Sequence, residues 1–346
     1  ARAVAVEVGL EHAALEQPLP GARVQLRHLV GLGAVEGAQD FQLVAVALED
    51  PRVALLVALL AAAGLFTDFL WFQQLGYETV LITEIITRVA VFSVAALGMA
   101  AVTGVSLWLA YRSRPIYLKF PDESSPFQVY RQLLEQLRKV VMIGVPAVLG
   151  VFAGVAASSR WETVLVWLNR VETGQKDPQF NLDVSFYLFE QPFLSGLAGF
   201  ASAALLISAL IAAAVHIIYG SIRFTGKDVK ISKAARIQIG ITAAAYFVVQ
   251  GASLWLDQFT TLTSDAGLFT GATYSDVNAT IPGLQIMAMI SFLVGILFLV
   301  TAVLGRWKIS VMATGLMVVS SLVLGGLFPW LVQTFQEVRS TNQVAS

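Results

Sequence analysis

The sequence predicts an all-α fold: a polytopic transmembrane helix bundle of seven spans, N-terminus in and C-terminus out, with short interfacial helices forming an outer cap. Three observations predict it. Hydrophobic residues make up 57% of the 346 residues and charged residues only 13%, against about 25% charged in a soluble domain, and the mean hydropathy is +0.73. From residue 52 onward the charges punctuate the chain and leave uncharged runs close to the roughly 20 apolar residues that a membrane helix needs. Lysine and arginine then gather in alternate connections, as expected when basic residues are retained on the cytoplasmic side.

Taken in order, residues 1–51 are rich in Ala, Val, Leu and Gly with no sustained period, and read as a poorly ordered or foreign leader. Gly31, Gly33 and Gly37 in it are spaced one residue too widely for a nucleotide loop and lack a surrounding strand-helix unit. The start at Ala1, with neither Met nor a signal-peptide pattern, reads as that of a fragment. Residues 52–338 form the seven-helix domain, with spans at 53–72, 89–111, 140–159, 192–222, 237–256, 282–305 and 309–333. Residues 339–346 read as the start of an extracellular region.

The connection after the second span holds Arg112, Arg114, Lys119, Arg131, Arg138 and Lys139; that after the fourth holds Arg223, Lys227, Lys230, Lys233 and Arg236; that after the sixth holds Arg306 and Lys308. Residues 257–281 hold no basic residue. Within the first basic connection, apolar residues at 130, 133, 134, 137 and 141 form a helical stripe, as in a helix lying in the membrane interface. In the third span, Gly150 and Gly154 give a GxxxG spacing that lets a neighbouring backbone approach, and Pro146 is expected to kink the helix.

The stretch from Trp161 to Phe193 is too aromatic for an ordinary connector. Trp161, Val164, Leu165, Leu168 and Val171 fall at helical spacing, and Trp161 and Trp167 suit a membrane-water boundary. Gly174 and Pro178 end that helix, Asp183 offers a cap to the next, and Pro192 is expected at the mouth of the fourth span, where its missing donor costs little. Phe186, Tyr187 and Phe189 complete the aromatic cap, with Asp177 among its acids.

Asn169-Arg170, Asp177-Pro178-Gln179-Phe180, Asp183 to Glu190 and Pro192-Phe193, together with Asp68 to Phe72, Leu75-Gly76-Tyr77, Thr87-Arg88 and Gly271 to Ala279, occur in an order that resembles uncharacterised protein family 0182, large bacterial membrane proteins. The resemblance covers about Arg52 to Val338. It implies seven helices in a bacterial plasma membrane, followed by a large region outside the cell. Residues 1–50 depart from the family's usual start, and the chain reaches Ser346 where that outer region should begin. The resemblance supplies no catalytic or binding residue.

A hydrolase needs a nucleophile, a base and an orienting group together. His216 is the only histidine beyond the leader and falls at the opposite end of the spans from the acidic clusters; it reads as a helix-end residue placing its polar ring at the interface. With no Cys and no second His nearby, a zinc site fails. The third to seventh spans carry no ionisable Asp, Glu, Lys or Arg, which disfavours ion coupling. Asp68, Glu84 and Arg88 form the candidate cluster near the outer leaflet, with Glu84 and Arg88 in the favourable acid-first order. Asp257, Asp265 and Asp276 with the intervening Thr260, Thr261, Thr263 and Ser264 have oxygen ligands but not a calcium-loop spacing, and read as a solvated acidic loop. Asn278-Ala279-Thr280 matches a glycosylation sequon that a bacterial protein would leave unused.

The expected role is non-enzymatic: a membrane anchor and scaffold presenting an extracellular domain, with membrane lipids and membrane or envelope proteins as partners, no nucleic acid and no cofactor. The alternative is a transporter or a handler of lipids or envelope precursors, with the kinked third span and the aromatic cap bordering an apolar groove. An enzyme acting on membrane-bound substrates would need its active site in the outer region.

Overall fold

The computed structural model describes residues 51–113, 135–225, 228–264 and 271–334. Two compact units are distinguished, one up to Leu81 and one from Ile82. In the first, α1 (Pro51–Leu75) covers the first expected span. It ends in a Schellman motif: Gly76 takes φ +73°, its N–H bonds to the Gln73 carbonyl, and the Tyr77 N–H reaches back to Phe72.

The rest of the chain supplies α2 (Glu78–Arg112), α3 (Arg138–Ser158), the short α4 (Trp161–Leu168), α5 (Gln191–Ile218), a hairpin of β1 (Ile222–Thr225) and β2 (Asp228–Ile231), α6 (Lys233–Thr260), α7 (Ile281–Leu304), α8 (Trp307–Leu322) and α9 (Phe328–Val332). Five-residue π-turns at Phe186–Glu190, Asp276–Thr280 and Val323–Leu327 lead directly into α5, α7 and α9. Among the described residues, six continuous helices are long and apolar enough to cross a membrane: Glu78–Arg112, Arg138–Ser158, Phe186–Ile218, Lys233–Thr260, Asp276–Leu304 and Trp307–Val332.

Four helix starts differ from the sequence reading for identifiable reasons. The second long helix starts at Glu78 rather than 89, because Glu84 and Arg88 pair at 2.7 Å along the helix and need not mark its end. The fifth expected span, 237–256, lies inside a longer helix that starts at Lys233 and takes in Arg236 and Asp257 just beyond the span's two ends. Pro192 and Pro282 sit in the first turn of α5 and α7 as expected, but helical residues begin earlier, at Val184 and Tyr274, and run through a π-turn ahead of each proline. The connection after the fourth span also contains a hairpin, paired from Ile222↔Ile231 to Thr225↔Asp228, that helical periodicity does not announce. Its stalk is fixed by Gly220, at φ +69°, and by the Ser221 N–H bonding to the His216 carbonyl at 2.8 Å.

The packing order follows from the closest approaches. A Cβ at Gly150 would come within 2.7 Å of the Ala96 carbonyl oxygen, and one at Gly154 within 2.8 Å of the Phe92 ring, so α3 runs antiparallel against α2 with backbone near backbone. Pro146 lies inside α3, with its ring facing Gly104. Ser106 of α2 bonds to Ser208 of α5, and with Gly98 beside Phe200 and Tyr111 beside Tyr219 the contacts advance together, so these two helices run parallel. α6 and α7 meet through Gly240 against Ala302, Gly251 against Ala288 and Phe292, and Gly295 against Ala244, again antiparallel. α7 and α8 are joined at one end by Thr301 and Ser310 and at the other by Gly283 lying against Leu324 of the third π-turn. Residues 112, 138, 219–225, 228–232 and 305–306 therefore come to one end of this unit, and 159–186, 260–264 and 271–276 to the other.

Two apolar clusters fill it. One joins Leu107, Ala110 and Tyr111 to Val215 and Tyr219; the other joins Phe247 and Leu254 to Met287, Ala288, Val294 and Met317. Large apolar side chains cover the outside as well, with Leu97, Ile143, Val303 and Met312 between 71% and 75% exposed. A surface of that kind suits lipid rather than water.

Candidate functional site: the aromatic cap and the buried polar seam

The cap is organised by two aspartates. Asp177 accepts backbone N–H bonds from Gln179 at 2.8 Å, Phe180 at 2.6 Å and Leu182 at 2.9 Å, and the Tyr187 hydroxyl donates to it at 2.8 Å. Asp183 accepts from the Thr173 N–H and hydroxyl, the Gly174 N–H and the Ser185 N–H. The last of these bonds is the helix cap proposed for Asp183. Partial burial pushes the Asp177 carboxyl up, but the bonds from Phe180, Tyr187, Leu182 and Gln179 outweigh it and hold the group below its usual value. At Asp183, the Ser185 side chain and N–H, and the Thr173 side chain and N–H, hold the carboxyl well below its ordinary range against a small opposing effect of burial. These carboxylates tie the backbone of residues 173–185 into a fold.

Rings then attach that fold to the helices. Trp167 stacks on Phe193 with centroids 4.0 Å apart. Phe180, Phe186 and Tyr187 all present edges to Phe259 of α6, closing the seam between α5 and α6. Phe189 lies half-buried in the first π-turn. Arg88, paired with Glu84, also lies over the Trp161 ring at 5.4 Å, which joins the α2 ion pair to the cap. Asp68 is exposed on α1.

A polar seam that sequence reading does not assemble runs between α2, α5 and α6. The Gln238 amide donates to the Ser106 carbonyl at 2.7 Å, so its Oε1 faces His216 Nε2 at 3.1 Å. That orientation assigns the proton to Nε2 and leaves Nδ1 as an acceptor. Ser106 Oγ in turn donates to the Ser208 carbonyl at 3.0 Å. His216 is fully buried, which corrects the expectation of a histidine placing its ring at the interface; its Nδ1 has no partner among the described residues. Similar neutral bonds cross the α6–α7 contact, from Gln285 to Gln258 at 2.8 Å and from Ser291 to the Phe247 carbonyl at 2.7 Å. The available signal was single polar residues inside apolar runs, but nothing local pairs residue 216 with 238 or 106 with 208.

The acidic loop offers less. Asp276 is engaged by the Thr273 N–H at 2.9 Å and its hydroxyl at 2.8 Å, and the Asp276 N–H returns a bond to Thr273 Oγ1 at 3.2 Å, a reciprocal helix cap. Asn278 donates to the Tyr274 carbonyl. Among the described residues there is no group of three or more His, Cys, Asp and Glu placed to hold a metal. Asp265, the leader, residues 339–346 and most of the interfacial helix expected over 121–141 lie outside the described residues.

Long apolar helices, small residues at their contacts and neutral hydrogen bonds between them define a polytopic helical bundle of the membrane type. The chain belongs to the Uncharacterised protein family (UPF0182), whose sequence pattern matches residues 45–345. It is 48% identical over 285 residues to a UPF0182 protein of Clavibacter sepedonicus, covering 82% of this chain and 29% of that protein. It is 46% identical over 287 residues to one of Leifsonia xyli subsp. xyli, covering 82% and 29%. With one of Micrococcus luteus it shares 42% identity over 296 residues, covering 85% and 28%. The chain thus spans less than a third of the length of these relatives. No solved structure matches.

Proposed function

We propose that this chain is the membrane-embedded part of a larger bacterial plasma-membrane protein and acts as an anchor and scaffold for a region outside the cell. It crosses the bilayer seven times, α1 included, with its N-terminal side in the cytoplasm and the aromatic cap outside. The observation that carries the reading is the pairing of buried polar groups. His216, Gln238, Ser106, Gln258, Gln285 and Ser291 all bond between helices, which supports a bundle built to hold its shape. Asp177 and Asp183 are likewise committed to the cap's own backbone. Phe186 and Tyr187 pack on Phe259 of α6, a contact that supports a closed seam there.

Two experiments test this. The 346 residues hold no cysteine, so single cysteines at Ser113 and Thr263 report sidedness cleanly. A membrane-impermeant maleimide on intact cells is expected to label Thr263→Cys, and to label Ser113→Cys only after the membrane is opened. Labelling of both from one side overturns the topology. Gentle purification of the full-length protein followed by mass spectrometry tests the role: a stoichiometric protein partner with bulk lipid supports the scaffold, whereas one enriched lipid or envelope precursor without a partner assigns the bundle to lipid handling or transport.

A further inference from the structure

The outer cap carries a hollow that an anchor does not require. Its volume is about 380 Å³ and it is lined by Leu168, Arg170, Val171, Glu172, Ser185 and Glu190, within the range of about 300–1,000 Å³ typical of small-molecule sites. Arg170 is oriented three ways. Its Nη1 donates to the Trp167 carbonyl at 3.2 Å, its Nε meets Glu190 Oε1 at 3.3 Å, and its guanidinium lies 5.5 Å over the Trp167 ring centroid. The Arg170 side chain is still 49% exposed and that of Glu190 43%. The cation is held in position without being covered, and a guanidinium has further N–H donors to offer.

Glu172, exposed on the same rim, has no side-chain partner among the described residues. One guanidinium and two carboxylates therefore line the same hollow. Beside them, Leu168 and Val171 are 59% and 69% exposed, although they sit on a polar cap. Leu168 follows Trp167, whose ring stacks on Phe193, and tryptophan rings favour the level of lipid headgroups.

We propose that this hollow binds the headgroup of a zwitterionic phospholipid, with the phosphate on Arg170, a primary ammonium between Glu172 and Glu190, and the glycerol end against Leu168 and Val171. An anionic headgroup without an ammonium satisfies Arg170 but meets two carboxylates. A free amine lacks both the phosphate and the apolar part. The proposal rests on the bundle crossing a membrane, which cysteine labelling tests separately.

The test uses the full-length protein, purified in detergent and stripped of lipid, then titrated with dioctanoyl phosphatidylethanolamine, dioctanoyl phosphatidylglycerol and free phosphoethanolamine. Binding is followed by native mass spectrometry and tryptophan fluorescence. The expected result is preference for the ethanolamine lipid over both others. Glu172→Gln is expected to reduce that preference about two- to fivefold, the scale of one exposed ion pair, and Glu172→Gln with Glu190→Gln to remove it. Because Glu172 makes no side-chain bond within the described fold, the unfolding midpoint of Glu172→Gln should match that of the unaltered protein. Equal binding of the two lipids, equal binding of free phosphoethanolamine, or an unchanged preference in Glu172→Gln with an unchanged midpoint overturns the proposal.

Discussion

Replacing Gln238 by leucine isolates the seam between α2, α5 and α6. The side chain joins all three helices: it accepts from His216 Nε2 at 3.1 Å and donates to the Ser106 carbonyl at 2.7 Å. Leucine fills similar space but removes both bonds, and the imidazole N–H it abandons is fully buried. In a soluble core such an orphaned donor costs about 1–3 kcal/mol. Between membrane helices measured couplings are smaller, about 0.6 kcal/mol on average and about 1.7 at most, because the separated helices find other partners in the bilayer. Gln238→Leu is therefore expected to destabilise by about 1 kcal/mol, measured by reversible unfolding in mixed micelles with circular dichroism. His216→Leu alone should cost a similar amount by leaving the amide oxygen unpaired. The double substitution should be less damaging than the sum by about 0.6–1.7 kcal/mol, since an apolar pair leaves neither partner orphaned. Additivity within about 0.5 kcal/mol, the behaviour of independent sites, would refute the bond and the tautomer derived from it.

Three further outcomes are expected. Gly154→Ala places a methyl group 2.8 Å from the Phe92 ring and should cost about 1–3 kcal/mol by overpacking. Gly144→Ala in the same helix, whose nearest neighbour is the Val140 side chain at 3.9 Å, should cost nothing in the same unfolding assay. The cap should loosen in acid: Asp177 and Asp183 are held below the usual carboxyl value of 3.8, so their stabilisation is complete above that pH and is lost as pH falls through the depressed values. Protection factors over 173–187, taken relative to the intrinsic exchange rate at each pH, should be unchanged from about pH 7 to 5 and fall below about pH 4, and Asp183→Asn should flatten the response. Pro192→Ala restores an N–H that favours an ordinary turn; removing the extra π-turn residue rotates the preceding segment by about 100° and should weaken Phe259 protection of Phe186 and Tyr187, read as faster exchange across the cap.

Membrane class and alternating course are legible because they depend on one-dimensional quantities, the length of uncharged runs and the placement of basic residues. The same rule sets the second span at 89, short of the helix start at Glu78, because it stops at Glu84 and Arg88, whose expected helical pairing the structure bears out. The roles of Asp183 and of Gly150 and Gly154 are also readable, since a cap and a small-residue spacing act locally. His216 is misread because its environment is set by Gln238, 22 positions away on another helix. The α6–α7 contact was equally open to inspection, with Ala288, Gly295 and Ala302 seven residues apart facing Gly240, Ala244 and Gly251, but no GxxxG pair announces it.

The prolines show a subtler failure with a single cause. Proline at the first turn of a helix is favourable, so Pro192 and Pro282 read as helix starts. In the structure the residue just before each proline makes a wide hydrogen bond five residues back: Gln191 N–H to the Phe186 carbonyl and Ile281 N–H to the Asp276 carbonyl. Phe328, preceding Pro329, does the same to Val323. A proline ring strikes the carbonyl four residues earlier, and widening the turn ahead of it moves that carbonyl aside while keeping the helix continuous. The cap residues Asp183 and Thr273 sit nine residues before their prolines, and that spacing marks where these helices begin. The extra turn matters for the cap: it is the segment that carries Phe186 and Tyr187 onto Phe259, so the widened turn ahead of the proline is what lets the helix extend beneath the cap and hold it.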